Sequence, residues 1–482
     1  MLAVAHVLGS LLAGFALSCL APLACSLIMA DGLWRVFLLT GLAAAACALL
    51  LRLLAHRRHR ELRARDGFLL VTLGWVVLPA AAALPLLFGI PGLSFTGAFF
   101  EAMSGLTTTG STVLSGLDTL APSLNFWRHA LEWFGGLGVI VMALAVLPLL
   151  GVGGMQVHKG AAPGSVKEER LAPRITAAAR SLWFVYALIT AGGILALKLC
   201  GMGWFDAICH AFSAVGLGGF STHDRSVAWF NSPAIEAVLM ALMVIAALNF
   251  ARHFVSLRRL SLEAYTSDPE ARALFAVLGA SILGIALLLS WHEVYPDFLG
   301  CLRNAAFNVI SQATTSGLTT QDYQAWPVFA PYWMLFLSCI LCSTGSTGGG
   351  IKMFRALLLG RQTGRELKRL IHPAAMAPVR VGGRPIPDSV GQAVFAFIFL
   401  YFVTIVALTF AMLLTGLDFD TSFTAVVAAI NNTAHGFGAP GEVHNLKALS
   451  PVQAWICIAA MLVGRLEIFS VVVLMRPAYW RK

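Results

Sequence analysis

The chain has 482 residues, of which 58% are hydrophobic and only 12% carry a charged side chain. This composition excludes a soluble globular protein, and it is typical of a protein that crosses a membrane many times. The net charge of +10 would suggest a nucleic-acid partner in a soluble protein, but in a membrane protein the positions of the charges matter more than their sum, and we expect no nucleic-acid binding.

Apolar stretches that are long enough for a helix to cross a bilayer follow one another along the chain. The first two, at 3–28 and 34–54, lie in a predicted N-terminal domain of residues 1–60. The other eight form four pairs, which predict four further domains at 61–155, 156–262, 263–372 and 373–482. Their spans are 68–89 with 126–150, 180–200 with 233–251, 272–291 with 330–358, and 390–415 with 452–475.

Basic residues gather in every second loop between the predicted spans. If the odd-numbered spans run outward, the inner loops and the C-terminal tail hold 26 of the 33 Lys and Arg residues. The positive-inside rule then places both termini in the cytoplasm. The outer loops are rich in acidic residues, and an acidic outer mouth attracts cations.

Each of the four pairs encloses a segment of one kind, at 95–112, 204–221, 302–320 and 423–438. About ten helix-compatible residues lead to a turn of small residues, centred on Gly110, Gly219, Gly317 or Gly436. Span, half-helix, turn and span is the M1-P-M2 plan of a pore with pseudo-fourfold symmetry. The predicted fold is therefore an all-α polytopic membrane protein with ten transmembrane helices, in which four repeats surround a central pore beside a two-helix N-terminal domain.

The four turns have the composition of a cation filter. A dehydrated cation needs a cage of oxygens, which backbone carbonyls supply when they line one axis. Glycine permits the positive φ angles that orient successive carbonyls, and Thr or Ser hydroxyls add oxygens. The alternative is that glycine and threonine simply mark turns between helices, as one such segment alone would suggest. The predicted filter residues are Thr107, Thr108, Thr109, Gly110, Gly216, Leu217, Gly218, Gly219, Thr314, Thr315, Ser316, Gly317, Thr433, Ala434, His435 and Gly436.

A second interruption lies within the predicted span 330–358. Residues 343–350 read STGSTGGG, which cannot remain helical because each glycine costs about 1 kcal/mol relative to alanine. The run is not a nucleotide-binding loop, since Lys352 does not directly follow the last glycine and no Ser or Thr comes after it. At membrane depth such a break is tolerated where it lines a cavity or is covered by protein.

Arg465 lies near the middle of the last predicted span, where an arginine costs at least ~2.5 to 3.5 kcal/mol. Glu467 is only two residues away and does not share its helix face. We expect Arg465 to face the pore or the loop around Gly348 and to act as a fixed positive barrier. A structural salt bridge to another helix is the alternative.

Seven motifs together resemble the TrkH and TrkG potassium-uptake subunits of bacteria, whose superfamily also holds KtrB and the plant HKT transporters. The resemblance covers essentially the whole chain, and the first two spans resemble the additional domain that KtrB lacks. The motifs are TTTGST (107–112), GGLGVIV (135–141), LPLLGVGGMQ (147–156), GGFSTHD (218–224), TTSGLTT (314–320), STGSTGGGIK (343–352) and GRLEIF (464–469).

The resemblance implies K+ uptake through a gated, channel-like pore in the bacterial inner membrane, as the membrane subunit of a Trk system. It further implies a homodimer surrounded by lipid, a cytosolic nucleotide-binding ring of the TrkA type as regulator, and K+ or Rb+ ions in the filter without any covalently bound cofactor. The broken segment resembles an intramembrane loop that obstructs the pore beneath the filter. The implied gate residues are Gly345, Ser346, Thr347, Gly348, Gly349, Gly350 and Arg465.

With Gly436 aligned to the other three glycines, all four filter positions are glycine. Some HKT relatives with serine at the first position favour sodium, so the resemblance favours potassium here. The fourth segment departs from the family because it reads NNTAHGFG where an NNLGPGLG-like sequence is more usual. Either His435 packs behind the loop, or its protonation near a pKa of about 6.5 reduces cation occupancy.

The same sequence features bear on three other classes of function. A non-selective Na+/K+ or Na+-coupled transporter of the same superfamily is the main alternative, and a secondary symporter would require two inverted halves rather than four repeats in one orientation. No HExxH or GxSxG motif suggests an enzyme.

Glu101 and Asp206 either orient the filter from behind or pair locally, and His223 and Asp224 are predicted outer-mouth residues.

Overall fold

The computed structural model describes residues 2–55, 64–145, 171–375, 378–434 and 449–481. At the N-terminus, α1 (Leu2–Ser18) and α2 (Leu20–Met29) form one apolar stretch that runs beside α3 (Trp34–Ala55). The rings of Phe15 and Phe37 meet the Trp127 indole edge-on, with centroids 5.6 and 6.1 Å apart. Through these contacts the N-terminal helices pack against the helix that contains Trp127.

Eight further helices make up most of the apolar framework. They are α4 (Ala64–Gly89), α6 (Pro122–Ala145), α7 (Leu171–Leu199), α9 (Pro233–Ala247), α12 (Pro269–Trp291), α14 (Phe329–Ile340), α16 (Asp388–Leu413) and α18 (Pro451–Arg465).

Within the described residues the chain is an all-helical membrane protein with six to eight candidate spans. Six helical stretches are long and apolar enough to cross a membrane, and the number rises to eight if each of two bent helix pairs counts as one span. The six are Leu2–Met29, Trp34–Ala55, Arg65–Gly89, Ala178–Leu199, Pro269–Trp291 and Asp388–Leu413.

The two bent pairs differ from the continuous helices that hydropathy predicts. Helix α9 turns by 103° into α10 (Phe250–Arg259), and α18 turns by 110° into α19 (Phe469–Met475). The prediction of one helix over 452–475 is wrong, because Glu467 and Ile468 both have φ of +53°, which an α-helix does not allow. By contrast, the predicted interruption of 330–358 is confirmed, since α14 ends at Ile340 and the next helix begins at Met353.

Four short helices, here called the half-helices, each lie between two longer ones: α5 (Phe95–Leu106), α8 (Trp204–Gly216), α13 (Phe298–Ala313) and α17 (Phe419–Asn431). Side chains of Ser94, Asp297 and Asp418 cap three of them by accepting a hydrogen bond from a first-turn amide. The C-terminal half of every half-helix is buried. The helix dipole gives these buried ends a partial negative charge, which favours a nearby cation.

The remaining elements are short or polar. Helices α11 (Glu263–Thr266) and α20 (Pro477–Trp480) are single turns, and β1 (Arg380–Val381) pairs antiparallel with β2 (Arg384–Pro385). Helix α15 (Met353–Ile371) is amphipathic, with its first residues buried and Leu370 largely exposed near its end. Turns of 3-10 helix at Leu117–Thr119, Ser226–Trp229 and Tyr323–Ala325 follow the first three half-helices.

Candidate cation filter and gate

The half-helices α5, α8 and α13 end in the same backbone turn. One residue in the left-handed region is followed two residues later by a glycine that also has positive φ. The pairs are Thr108 (φ 50°) with Gly110 (76°), Leu217 (55°) with Gly219 (94°), and Thr315 (63°) with Gly317 (84°).

The fourth half-helix makes this turn two residues earlier than the sequence alignment predicts. Asn432 has φ of 53°, and its amide donates to the Ala429 carbonyl at 3.2 Å, as the Thr108 amide donates to Gly105 at 2.9 Å. The Thr433 amide then donates to the carbonyl five residues back, as the Thr109 amide does. Ala434, and not Gly436, therefore occupies the place that corresponds to Gly110. His435 and Gly436 lie outside the described residues.

We call residues 107–110, 216–219, 314–317 and 431–434 the first to fourth filter segments. They lie against one another in chain order: a Cβ atom built on Gly110 would overlap the Gly218 carbonyl oxygen, and one built on Gly219 would overlap that of Ser316. A Cβ atom on Gly317 would overlap Ala434. The four segments thus approach so closely that side chains are excluded at three of the four contacts.

Two hydrogen bonds close this arrangement into a ring, which we call the filter ring. The Ser111 hydroxyl donates to the Ala434 carbonyl oxygen at 3.1 Å, and the Asn432 side-chain amide donates to Thr109 Oγ1 at 3.1 Å. Both join the fourth segment to the first. The structure therefore brings twelve of the predicted filter residues, from Thr107 to Gly317, together with Thr433 and Ala434, and it adds Asn431 and Asn432.

The filter ring has the chemistry that a monovalent cation requires. Its four segments are buried and offer backbone carbonyls, hydroxyls and the side-chain amides of Asn431 and Asn432, with no titratable side chain among them. The buried hydroxyls of Thr108, Ser316 and Thr433 have no hydrogen-bond partner among the described residues. Buried polar groups normally have a partner, so these orphaned oxygens fit a site that a cation or its water molecules complete.

A buried ion pair supports the first segment from behind. Arg128 Nε lies 2.7 Å from Glu101 Oε1, and both side chains are fully buried. Glu101 also accepts hydrogen bonds from the Thr112 hydroxyl at 2.8 Å and the Val113 amide at 3.1 Å, directly after the first segment. The sequence left two alternatives for Glu101, which were local pairing and orientation of the filter backbone. Glu101 does both, because it pairs with Arg128 and also accepts hydrogen bonds from the chain that follows the first filter segment.

Arg128 also reaches the second segment, because its guanidinium carbon lies 4.1 Å from the centre of the Phe220 ring. The sequence analysis missed this arginine. The sequence does contain a signal for Arg128, because a charged residue within the predicted span 126–150 requires a buried partner.

A second acid lies directly behind the second segment. Glu132 Oε1 accepts a hydrogen bond from the Phe220 amide at 2.9 Å, and a Cβ atom on Gly218 would overlap the Glu132 carboxyl group. Ser213 supports the same turn, because its hydroxyl accepts from the Gly219 amide at 2.9 Å. Glu132 Oε2 has no hydrogen-bond partner among the described residues. The sequence analysis missed Glu132 as well.

Polar side chains also hold the third and fourth segments. The Asn308 side-chain amide donates to Thr320 Oγ1 at 3.1 Å. Asn431 accepts from the Tyr401 hydroxyl at 2.6 Å and donates to Ser338 Oγ at 3.0 Å. Every filter segment therefore has a buried polar support behind it.

Both predicted mouth residues, His223 and Asp224, contact Asp118, which follows the first filter segment in the chain. His223 Nδ1 lies 2.6 Å from Asp118 Oδ1, and the Asp224 amide donates to Asp118 Oδ2 at 3.3 Å. Burial alone would raise the pKa of Asp118, but the hydrogen bonds from His223 and the Asp224 amide outweigh it and lower this pKa. Asp206 accepts from the Thr222 hydroxyl at 2.7 Å, so it pairs locally at this outer surface.

Residues 341–352, the gate loop, lie directly against the ends of three half-helices. The Gly349 amide donates to Thr315 Oγ1 at 3.1 Å, and a Cβ atom on Gly349 would overlap the Asn431 carbonyl oxygen. Thr347 Oγ1 donates to the Val215 carbonyl at 3.1 Å. The loop therefore packs against the same ends of the half-helices that lead into the filter ring.

The other predicted gate residues fasten this loop. Gly345 accepts a hydrogen bond from the Phe250 amide at 3.1 Å, and Ser346 donates to the Ser343 carbonyl at 2.6 Å. Lys352 Nζ donates back to the Gly348 carbonyl. Gly350 has φ of 77°, and a Cβ atom there would lie 2.6 Å from the Cys339 carbonyl oxygen.

Arg465 joins the gate loop to α6. One guanidinium nitrogen donates to the Thr347 carbonyl at 3.0 Å and another to the Gly135 carbonyl at 3.2 Å. Only 4% of the Arg465 surface is exposed, and no carboxylate among the described residues lies within ion-pair distance of it. Glu467 instead pairs with Arg355. The alternative of a structural salt bridge is therefore not supported.

Comparisons with known proteins agree with this geometry. A family model described as "TrkH: Cation transport protein" matches residues 34–482. The chain is 42% identical over 481 residues to the Trk system potassium uptake protein TrkH of Salmonella typhimurium, covering 100% of this chain and 99% of that protein. It is 36% identical over 481 residues to the TrkG protein of Escherichia coli, covering 99% of this chain and 98% of that protein. Among solved structures, the potassium transporter TrkH from Vibrio parahaemolyticus superposes with a TM-score of 0.92 at 39% identity, covering 100% of this chain and 99% of that one.

Proposed function

Because the chain belongs to the TrkH family of cation transport proteins, we propose that it takes up K+ as the membrane subunit of a Trk system, through the filter ring. It is a multi-pass membrane transporter and not an enzyme. The observation that carries the proposed path is the closure of four similar turns into one ring of carbonyls and hydroxyls.

The proposed architecture has ten transmembrane helices. The half-helices α5, α8, α13 and α17 each lie between two spans, so that four M1-P-M2 repeats surround the ring, beside an N-terminal domain of two spans. The domain boundaries at 60, 155, 262 and 372 separate these units. The concentration of basic residues in alternate loops supports cytoplasmic termini in a bacterial inner membrane.

The transport step needs no cofactor and no covalent chemistry. A K+ ion that enters from the acidic outer mouth exchanges its water shell for carbonyl and hydroxyl oxygens of the filter ring. The partial negative ends of the half-helices stabilise it there. Inward movement of one charge gains about 2.3 kcal/mol per 100 mV of membrane potential, so uptake proceeds without a pump.

The proposed gate is the loop of residues 341–352 with Arg465. The loop lies below the filter ring, and Arg465 holds the Thr347 carbonyl while it places a positive charge on the intracellular side of the filter. A fixed positive charge near the exit repels a cation. Opening then requires that the loop move away, which would break the hydrogen bonds from Gly349 and Arg465.

Two partners follow from family membership as proposals. One is a second copy of this chain, and the other is a cytosolic nucleotide-binding ring of the TrkA type. The exposed apolar side chains Leu367, Leu370 and Ile371 on the basic, amphipathic α15 support a protein or lipid contact on the cytoplasmic side.

Non-selective transport of Na+ and K+ is the second candidate function. It is favoured by one observation, which is that the fourth place in the filter ring is Ala434 instead of glycine.

Uptake of radioactive rubidium into proteoliposomes that hold only this protein tests the proposal. The vesicles are given competing K+, Na+ or choline outside. Competition by K+ at much lower concentration than Na+ supports selective potassium uptake, whereas equal competition supports the second candidate. No uptake by wild type and none by a variant with a weakened gate, Arg465→Ala, would contradict both.

A further inference from the structure

The last residue of the fourth filter segment differs from the last residue of the other three. Gly110, Gly219 and Gly317 have no side chain and have φ angles of 76°, 94° and 84°. Ala434 occupies the equivalent place and is not among the described residues with positive φ. Three glycines and one methyl group therefore line the ring at this level.

The methyl group reaches across the ring. The segments are joined in the order first, second, third and fourth, so that the second segment stands opposite the fourth. A Cβ atom built on Gly219, in the second segment, would lie only 3.0 Å from the Ala434 Cβ atom. In contrast, the three atoms nearest to a Cβ atom built on Gly110 all belong to its sequential neighbour, the second segment.

The backbone of Ala434 is also tied down. Its carbonyl oxygen accepts the Ser111 hydroxyl at 3.1 Å, and both residues are almost completely buried. The methyl group is consequently held by the backbone and cannot rotate out of the ring as a longer side chain could.

We infer that Ala434 determines the size selectivity of the filter, and that its methyl group excludes large alkali cations such as Cs+. The inference rests on the proposed function of the ring as the K+ path. A cation in the ring replaces its hydration shell with protein oxygens, so space and oxygen number decide which ion binds. A methyl group occupies space and supplies no oxygen. The penalty therefore rises with the radius of the ion, from Na+ through K+ and Rb+ to Cs+.

The test measures cation binding by the thermal unfolding of the purified full-length protein, because this readout does not require an open gate. A bound ion stabilises the folded state according to its concentration relative to its Kd. Unfolding is followed in titrations of NaCl, KCl, RbCl and CsCl, with choline chloride holding the ionic strength constant. The variants are Ala434→Gly, the larger Ala434→Cys, and Ala325→Gly, which makes the same exchange at an exposed position of a turn.

We expect the Kd for Cs+ relative to that for K+ to fall roughly tenfold in Ala434→Gly, which is the scale on which one methyl group discriminates in a confined site. Ala325→Gly should keep the wild-type ratio of the two Kd values. The larger side chain of Ala434→Cys should act in the opposite direction and weaken K+ relative to Na+.

Unchanged ratios of the Kd values for Cs+, K+ and Na+ in both Ala434→Gly and Ala434→Cys would overturn the inference while leaving K+ binding, and thus the proposed function, intact. A shift in Ala325→Gly equal to that in Ala434→Gly would also overturn it, because the effect would then not be local. If no alkali cation stabilised the wild-type protein or any variant, the proposed function would fail together with the inference.

Discussion

Arg465 donates a hydrogen bond to the Thr347 carbonyl oxygen at 3.0 Å, across 118 residues of sequence. The same guanidinium group holds Gly135 of α6, so one side chain joins the gate loop to the helix beside the first filter segment. Both acceptors are backbone carbonyls, and no carboxylate among the described residues forms an ion pair with this guanidinium group.

Removal of this contact should open the pore. We expect Arg465→Ala to raise basal cation flux several-fold, since the loop loses its anchor and the exit loses a fixed positive charge. Flux is measured in proteoliposomes without any regulator. Arg476→Ala, which removes an exposed arginine after α19, serves as the control. Equal or lower flux from well-folded Arg465→Ala would contradict the proposed gate.

The protein should tolerate the loss of both Glu101 and Arg128 better than the loss of either one alone. Loss of one partner leaves an unpaired buried charge, which costs about 3 to 5 kcal/mol, whereas replacement of both by apolar residues is often nearly neutral. We therefore expect Glu101→Gln to lower the unfolding temperature strongly, and Glu101→Gln combined with Arg128→Met to recover part of the loss. Additive losses in the double variant would show that the two side chains act independently.

Glu132 should support the second filter segment through its hydrogen bond to the Phe220 amide. Glu132→Ala removes the acceptor and leaves a buried amide unsatisfied, at a cost of about 1 to 3 kcal/mol. We expect this variant to weaken K+ competition for rubidium uptake more than Na+ competition. Glu132→Gln retains an acceptor oxygen and should fall between Glu132→Ala and wild type. Indistinguishable competition curves for Glu132→Ala and wild type would exclude this supporting role.

The outer mouth should keep its structure over the physiological pH range. The pKa of Asp118 is lower in the folded protein than its ordinary value of about 3.9, so its stabilising contribution is complete above that value and is lost as pH falls through the folded pKa. The protection factor of the Asp224 amide, which donates to Asp118, is its intrinsic exchange rate divided by its observed rate at the same pH, and it should therefore fall only in strong acid. A fall in this protection factor already between pH 7 and 5 would show that another group controls this contact.

Features that depend on residues close together in the sequence were predictable, whereas features that depend on distant residues were not. The half-helices and the first three filter turns were predictable. A short helix and the glycine of positive φ that follows it lie in one short stretch of sequence, so their pattern is visible without the tertiary structure. The break at 343–350 was predictable for the same reason, since consecutive glycines weaken a helix wherever it lies.

The fourth turn was not predictable in its register. The sequence NNTAHGFG offers glycines at 436 and 438, and alignment by glycine selects Gly436. The chain instead turns at Asn432, whose side-chain amide donates to Thr109 Oγ1 in the first repeat, 323 residues away, and to the Met461 carbonyl, 29 residues away in the sequence. The sequence of the fourth segment does not indicate which residues will accept these hydrogen bonds.

By itself, the sequence determined the membrane class, the four half-helices, the turns that end three of them and the helix break at 343–350, since hydrophobic length and glycine placement act over short distances along the chain. Only the tertiary structure decided that Ala434 completes the ring, that Arg128 and Glu132 support it, and that Arg465 holds Thr347. These relationships join residues that are distant in sequence, and they arise because buried polar groups must find partners wherever the packed helices place them.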